Sequence, residues 1–260
     1  VSAAVTSARW DDLDALEAFA RSVDVVTLEW ENVPVSVVEH LGRFAPVHPG
    51  SNVLSVAQDR VVEKSFVNGL GIATAPWRAA HSAEEVAKAV AEVGPRCILK
   101  STRLGYDGKG QARIEPGVDP AEAWAAIRSD AGIVEGFVTF ACEVSVIVAR
   151  GLDGSVATYP AVENRHKNGI LDKTIAPARV PAATAAEAER VARRIAEALD
   201  LVGVLAVEMF VTPDGAVLVN EMAPRPHNSG HWTMDACHSD QFEQLVRAVC
   251  GLPLGSVDRV

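Results

Sequence analysis

The chain contains the stretch GVLAVEMFV-TPDG-AVLVNEM, residues 203–222, in which two apolar runs flank a short polar segment. Runs of this length that are rich in Val, Leu and Phe are typical of strands. Pro213 at the second position and Gly215 at the fourth position of the polar segment suit a type I turn. We therefore expect an antiparallel hairpin in which Thr212 pairs with Gly215.

Two glutamates interrupt this apolar hairpin. With Thr212 opposite Gly215, Glu208 faces Val219 and Glu221 lies two residues further on, so the two carboxylates share one face on a diagonal, about 7–8 Å apart by Cα. Like charges in an apolar setting are costly unless a cation lies between them, and hard oxygen ligands suit Mg²⁺ that bridges to phosphates. Two glutamates on a solvent-exposed face are the alternative.

The segment APRPHNSGH, residues 223–231, follows the hairpin directly. Its two prolines restrict the backbone, and Arg225 offers a planar fork for carboxylate or phosphate oxygens. His227, Asn228 and His231 can donate hydrogen bonds to a developing negative charge. A polar surface loop is the alternative, but the combination of rigid residues, an arginine and two imidazoles favours a functional site.

A glycine-rich loop, STRLGYDGKGQ at 101–111, follows an apolar strand that ends at Lys100. Its three glycines leave backbone N–H groups free to wrap phosphates, and Lys109 adds positive charge. The spacing matches neither a Walker A motif nor a dinucleotide-binding fingerprint, and a flexible hairpin tip is the alternative. Lys100 needs an anionic partner in a buried strand, and a nucleotide phosphate is one.

The segment IVEGFV, residues 133–138, is similar to a hinge that recognises adenine through backbone groups, and Glu143 could accept ribose hydroxyls. A plain pair of strands is the alternative. Elsewhere, α/β patterns recur: a strand at 23–28 leads into EWENVP, and capping boxes at Ser82 and Thr184 each precede a helix.

Composition excludes several classes of protein. The 260 residues carry a formal net charge of −10, which argues against a general nucleic-acid binder because phosphate neutralisation needs a basic face. No two of the four cysteines have C-x-x-C spacing, so we expect core thiols in a reducing cytoplasm. No apolar run approaches the roughly 18 residues that cross a membrane, so we expect neither a membrane span nor a signal peptide.

Taken in order, these motifs resemble the ATP-grasp superfamily: lysine strand, glycine-rich loop, hinge, VEMF strand, then VNEMAPRP. Further segments are similar to the 5-(carboxyamino)imidazole ribonucleotide synthetase family of purine biosynthesis. These segments are EWENVP at 29–34, QDR at 58–60, GYDGKGQ at 105–111, YPAVEN at 159–164 and APRPHNSGHWT at 223–233.

The resemblance implies an α+β ATP-grasp fold with the remnant of a preceding α/β, Rossmann-like domain. The expected division is an N-terminal remnant at 1–50, linking helices at 51–75, a lid subdomain at 76–140 and a catalytic subdomain at 141–255. The family's glycine-rich N-terminal turn and small C-terminal domain are missing, so we expect a truncated chain. The loop also reads RLGY where RGGY is more usual, and Ala223 stands where the wider superfamily has an asparagine.

The resemblance further implies ATP-dependent carboxylation of aminoimidazole ribonucleotide with bicarbonate, in a homodimer that binds neither nucleic acid nor membrane. By position, ATP would be held by Arg60, Lys100, Gly105, Gly108, Glu135, Val138 and Glu143, and Mg²⁺ by Glu208 and Glu221. Bicarbonate and carboxyphosphate would meet Arg225, His227 and Asn228. The ribonucleotide would meet Glu31, Tyr106, Asp107 and Lys109. Two alternatives are formate-dependent glycinamide ribonucleotide transformylase and a nucleotide-binding module without chemistry.

Overall fold

The structure is a computed structural model that describes residues 4–104, 110–167 and 169–260. In these ranges the helices are α1 Leu13–Arg21, α2 Val35–Leu41, α3 Ser51–Ala57, α4 Arg60–Gly69, α5 Ala83–Val93, α6 Pro120–Ile127, α7 Ala182–Ala198, α8 Thr233–Ala236 and α9 Gln241–Val249. The strands are β1 Val26–Thr27, β2 Val47–His48, β3 Trp77–Ala80, β4 Cys97–Ser101, β5 Gln111–Ile114, β6 Gly132–Gly136, β7 Cys142–Arg150, β8 Val156–Thr158, β9 Val162–Lys167, β10 Ile170–Ile175, β11 Gly203–Val211 and β12 Val217–Ala223.

The described strands form three sheets. β1 and β2 make a short parallel pair in the N-terminal unit. A four-stranded antiparallel sheet has the order β3-β6-β4-β5, and the largest sheet has the order β10-β9-β7-β11-β12 with β8 beside β7. The strand predicted at 23–28 is therefore shorter than expected, because only Val26 and Thr27 pair with a neighbour.

The four-stranded sheet packs on α5 and α6 through its own apolar core, which includes Val86, Leu99, Ile127 and Val134. The predicted capping box is present at the start of α5, where the Ser82 side chain accepts from the N–H of Glu85. These elements form a small layered unit with its own core.

The large sheet packs on α7. Val191, Ile195 and Leu199 form the buried stripe that their four-residue spacing predicts. The second predicted capping box is wrong, because α7 begins at Ala182 after Pro181 and Thr184 lies inside the helix. Proline at the N-terminus of a helix loses no hydrogen bond, so it can start the helix earlier than Thr184 would.

The mixture of helices and sheets confirms the predicted α+β class, whereas the domain boundaries stay a prediction. All four cysteines are free, and Cys97 and Cys237 are buried as expected, whereas Cys250 is exposed. Within the described ranges, every helix is too short or too polar to cross a bilayer.

Candidate active site

The hairpin β11–β12 brings Glu208 and Glu221 together by a route that differs from the prediction. Thr212 pairs with Ala216 instead of Gly215: its N–H donates to the Ala216 carbonyl at 2.9 Å. In that register Glu221 would point to the opposite face from Glu208. A bulge at Asn220 shifts the pairing by one residue and makes Glu208 the direct partner of Glu221. The shared face is confirmed, but the pair is opposite, not diagonal.

The bulge is held from the linking helix α4. Lys64 is only 2% exposed, and its Nζ donates to the Asn220 carbonyl at 2.9 Å. The neighbouring Glu63 is also buried, and it accepts the N–H of Met222 at 2.6 Å. Burial, together with the nearby charge of Glu221, raises the pKa of Glu63 to about 8. Two residues that the sequence analysis did not identify therefore shape the backbone beside the carboxylate pair.

His227 lies directly against this pair. Its Nε2 is 3.1 Å from Glu208 Oε1, and both side chains are 15% exposed. Burial opposes ionisation of Glu208, but the hydrogen bond from His227 prevails and lowers the pKa of this carboxyl. Among the polar residues of the 223–231 segment, the structure therefore brings His227 to the hairpin. By contrast, the ring of His231 packs edge-on against Phe242, 5.7 Å between centroids.

Arg225 binds Glu31 of the N-terminal unit in a two-pronged ion pair, through Nε to Oε2 and through Nη2 to Oε1 at 3.0 Å. Burial opposes ionisation of Glu31, but Arg225 prevails and lowers the pKa of the carboxyl. The loop that carries Glu31 is pinned by Gln58, whose Nε2 donates to the carbonyls of Glu31 and Val33. The sequence assigned Glu31 and Arg225 separate roles, and the structure joins them.

A lid cleft lies between the four-stranded sheet and the large sheet. The cleft is lined by Lys100, Glu135, Val138 and Glu143, for which nucleotide contacts stay a prediction. The carboxylate of Glu135 is 4% exposed and is held by Lys100 at 2.8 Å and by Lys64 at 3.3 Å. Burial opposes ionisation of Glu135, but the two lysines lower its pKa. The Glu135 carboxylate therefore orients the two lysines, and it meets the cleft as part of this ion-pair cluster.

Phe140 and Phe210 also line the lid cleft, stacked with 4.8 Å between centroids. In the same cleft Glu143 accepts from His166 Nδ1 at 2.5 Å. The hydrogen bond with Glu143 raises the pKa of His166 despite partial burial. His166 was not among the predicted site residues. Its signal in the sequence is the two-residue spacing from Asn164 along β9, which puts both side chains on one face of the strand.

A second, loop cleft lies between the N-terminal unit and the segment 223–231. Glu31, Arg225, His227 and Asn228 line it. The two clefts share four charged or titratable residues: Arg60, His166, Glu208 and Glu221. Arg60 Nη1 donates to the Ser101 carbonyl at 3.1 Å, and its Nη2 lies 4.0 Å from Glu221. The carboxylate pair is thus the junction of the two clefts.

The donor set fits Mg²⁺ better than a structural metal. No group of three or more His, Cys, Asp or Glu side chains among the described residues could hold an ion. Two carboxylates on one face are what Mg²⁺ uses when substrate phosphates and water complete its octahedron. Glu208 and Glu221 could therefore hold this ion only together with a bound phosphate.

Five of the predicted residues, Gly105, Tyr106, Asp107, Gly108 and Lys109, lie outside the described ranges. The residue before them, Leu104, is exposed and adopts φ +63°. A left-handed backbone favours glycine, which accounts for RGGY being more usual than the RLGY of this chain.

The comparisons with known proteins bear on the whole chain. The model of the ATP-grasp domain matches residues 65–242, and that of the ribonucleotide synthetase preATP-grasp domain matches residues 1–58. The N5-carboxyaminoimidazole ribonucleotide synthase of Brucella melitensis is 50% identical over 254 residues, which cover 97% of this chain and 70% of that protein.

Solved structures agree with these matches. An N5-carboxyaminoimidazole ribonucleotide synthetase in complex with ADP has a TM-score of 0.93 at 42% identity, over 97% of this chain and 67% of its own. The Aspergillus clavatus enzyme in complex with ADP and 5-aminoimidazole ribonucleotide has a TM-score of 0.90 at 30% identity, over 97% of this chain and 67% of its own.

The chain spans 66–70% of the length of several curated relatives and 27% of one longer relative. On these matches, this chain belongs to the N5-carboxyaminoimidazole ribonucleotide synthase family of ATP-grasp proteins.

Proposed function

We propose that this site carboxylates 5-aminoimidazole ribonucleotide with bicarbonate at the expense of ATP, through carboxyphosphate, and releases ADP and phosphate. The junction of the two clefts at Glu208 and Glu221 carries the proposal. A nucleotide in the lid cleft would present its terminal phosphate at this pair, within reach of a small acceptor in the loop cleft. The solved relatives, which bind ADP and in one case also 5-aminoimidazole ribonucleotide, support the same substrates.

In the lid cleft, Lys100 would neutralise nucleotide phosphates, because its ion pair with the buried Glu135, which Lys64 also binds, fixes its ammonium near the end of β4. Arg60 stands beside Glu221 at the junction and would bind the transferred phosphoryl group. Glu143 and Val138 line the part of the cleft where a ribose and base would lie. Mg²⁺ held by Glu208 and Glu221 would neutralise charge that develops during phosphoryl transfer.

In the loop cleft, bicarbonate offers few handles and needs several charge-assisted donors at once. Arg225 and Asn228 supply such donors on a backbone that two prolines restrict, and His227, whose Nε2 lies against Glu208, would border the bound bicarbonate. Glu31 orients the Arg225 guanidinium and would border the ribonucleotide. The carboxyl group would then pass from carboxyphosphate to the exocyclic amine, with phosphate as the leaving group. Contacts of Tyr106, Asp107 and Lys109 with the ribonucleotide are proposed on the family resemblance alone.

The test is Glu221→Gln, which keeps the shape of the side chain and removes a charge. We expect ADP formation that depends on Mg²⁺, bicarbonate and 5-aminoimidazole ribonucleotide to fall about 100-fold or more, while ADP binding without metal persists. Glu187→Gln is the control, because Glu187 lies on the surface of α7 and pairs with Arg190. Undiminished turnover in Glu221→Gln would refute the role of the pair.

The same assay separates the alternatives. Formate and glycinamide ribonucleotide should not replace bicarbonate and 5-aminoimidazole ribonucleotide if the proposal is correct. Nucleotide binding without ADP formation under any condition would favour a binding module. A homodimer is proposed on the family resemblance alone, and light scattering would measure it. A cytoplasmic location is proposed on the four free cysteines.

A further inference from the structure

A chain of buried polar side chains runs from the large sheet to His227. Asn164 Nδ2 donates to Ser145 Oγ at 2.8 Å, and Ser145 Oγ donates to Ser229 Oγ at 2.8 Å. Ser229 Oγ lies 2.9 Å from His227 Nδ1. Ser145 and Ser229 are fully buried and Asn164 is 5% exposed. Hydroxyls in a core are costly unless hydrogen-bonded, and none of these contacts serves a substrate directly.

The two ends of this chain fix the direction of its hydrogen bonds. At one end, the backbone N–H of Ser229 also points at His227 Nδ1, at 3.3 Å, and a backbone N–H can only donate. At the other end, Asn164 Oδ1 accepts from Thr174 Oγ1 at 3.0 Å and its Nδ2 donates to Ser145 Oγ, an orientation that agrees with the direction set at Ser229. Each serine has one hydroxyl proton, and both protons therefore point toward His227.

With Nδ1 as an acceptor, the ring proton belongs on Nε2, which lies 3.1 Å from Glu208 Oε1. The ring then donates to one carboxylate oxygen of Glu208 and leaves the other for the junction of the clefts. If Ser145 did not donate to Ser229, the Ser229 hydroxyl could turn and accept from Nδ1–H instead. The direction of the Ser145 bond therefore acts together with the Ser229 N–H and the Glu208 carboxylate against the second arrangement.

The backbone of His227 is held separately. Its N–H donates to Gln241 Oε1 and its carbonyl accepts from Gln241 Nε2, both at 2.9 Å. The amide can approach this closely because residue 230 is glycine: a Cβ there would lie 2.4 Å from Gln241 Oε1. Loss of the serine chain should consequently leave the backbone in place and affect only the ring.

We propose that Ser145 is a positioning residue that, through Ser229, holds the His227 ring with Nδ1 as acceptor and the proton on Nε2 toward Glu208. The expected effect on turnover rests on the proposed function. The position of the proton on the His227 ring rests on geometry alone. Removal of a hydrogen-bond partner that orients a residue at a metal site commonly lowers activity about 10- to 100-fold.

The experiment compares wild type with Ser145→Ala and Ser229→Ala. Imidazole ¹⁵N chemical shifts of the ¹⁵N-histidine-labelled chain, without nucleotide or metal, report which ring nitrogen carries the proton. We expect a single Nε2–H form of His227 in wild type and a mixture in both variants. The turnover number should fall about 10- to 100-fold, with an unchanged KM for ATP.

Thr184→Val is the matched control, because it removes a hydroxyl that is 7% exposed but bonded only to the Gly215 carbonyl at 3.4 Å. It should change neither the His227 resonances nor turnover. Unchanged resonances in both serine variants would overturn the proposal, as would a changed ring with full turnover. Absence of bicarbonate-dependent turnover in wild type would refute the proposed function, whereas the resonances would still decide the assignment of the ring.

Discussion

The buried carboxyl group of Glu63, beside the site, should make the stability of the fold depend on pH. It is 3% exposed in α4, and its Oε1 accepts the N–H of Met222, the residue after Glu221. Burial raises its pKa, Lys64 opposes this, and the charge of Glu221 raises it further, to about 8 from 4.5. Between pH 4.5 and about 8, Glu63 is therefore neutral in the folded chain and ionised in the unfolded chain.

This difference predicts how stability depends on pH. Folding takes up a proton between pH 4.5 and about 8, so the free energy of unfolding falls as the pH rises through this window. The slope is about 1.4 kcal/mol per pH unit, and the whole window amounts to about 5 kcal/mol. Glu63→Gln keeps an oxygen that can accept from Met222 and is neutral at every pH, so it should lack this component.

Urea unfolding of wild type and Glu63→Gln in EDTA, at about pH 5.5 and about pH 7.5, measures the difference. We expect the stability of wild type relative to Glu63→Gln to fall by about 3 kcal/mol between the two values. Subtraction removes every other titrating group that the two proteins share. Far-ultraviolet circular dichroism would show that both variants start from the same fold.

Glu187→Gln is the control for charge removal. Hydrogen bonds from Arg190 lower the pKa of Glu187. This carboxylate is therefore ionised in both the folded and the unfolded chain between the two pH values. Its difference from wild type should stay constant between the two pH values. A constant difference for Glu63→Gln as well would refute the reasoning, since it would mean that Glu63 is ionised in the fold.

Two further substitutions test the surroundings of the site. Lys64→Met leaves the buried Glu135 with a single lysine partner, and we expect the free energy of unfolding in urea to fall by about 3 kcal/mol. Unchanged stability would mean that the ion pair between Lys64 and Glu135 contributes nothing. Gly230→Ala forces a Cβ against the Gln241 amide that clamps His227, and calorimetry should show a loss of about 1–3 kcal/mol. A fully stable Gly230→Ala would mean that this amide can move away at no cost.

Several elements could be predicted because their signal is local. The four-residue spacing of Val191, Ile195 and Leu199 requires one buried helical face, and the Ser82 cap needs only the three residues after it. The capping box at Thr184 failed for an equally local reason, since Pro181 begins the helix first. Local patterns are reliable where no competing signal lies within a turn.

The hairpin shows how a correct conclusion can follow from a wrong register. The expected pairing of Thr212 with Gly215 is off by one residue, and the bulge at Asn220 compensates for that error. A bulge inserts a residue without a strong mark in sequence, and here it is held by Lys64, which lies far away along the chain. The shared face of Glu208 and Glu221 was predictable, but their direct opposition was not.

The sequence by itself determined the kind of fold, the family and the groups of residues that meet at the site, because spacing, turn chemistry and rare motifs are properties of neighbouring residues. Only the tertiary structure decided which charges become partners. Arg225 forms an ion pair with Glu31, which lies 194 positions away in the sequence, and the N–H of Met222 donates to Glu63, which lies 159 positions away. Such pairs, and the serine chain to His227, depend on how helices and sheets pack, because burial compels each polar group to bond to whatever donor or acceptor packing brings beside it.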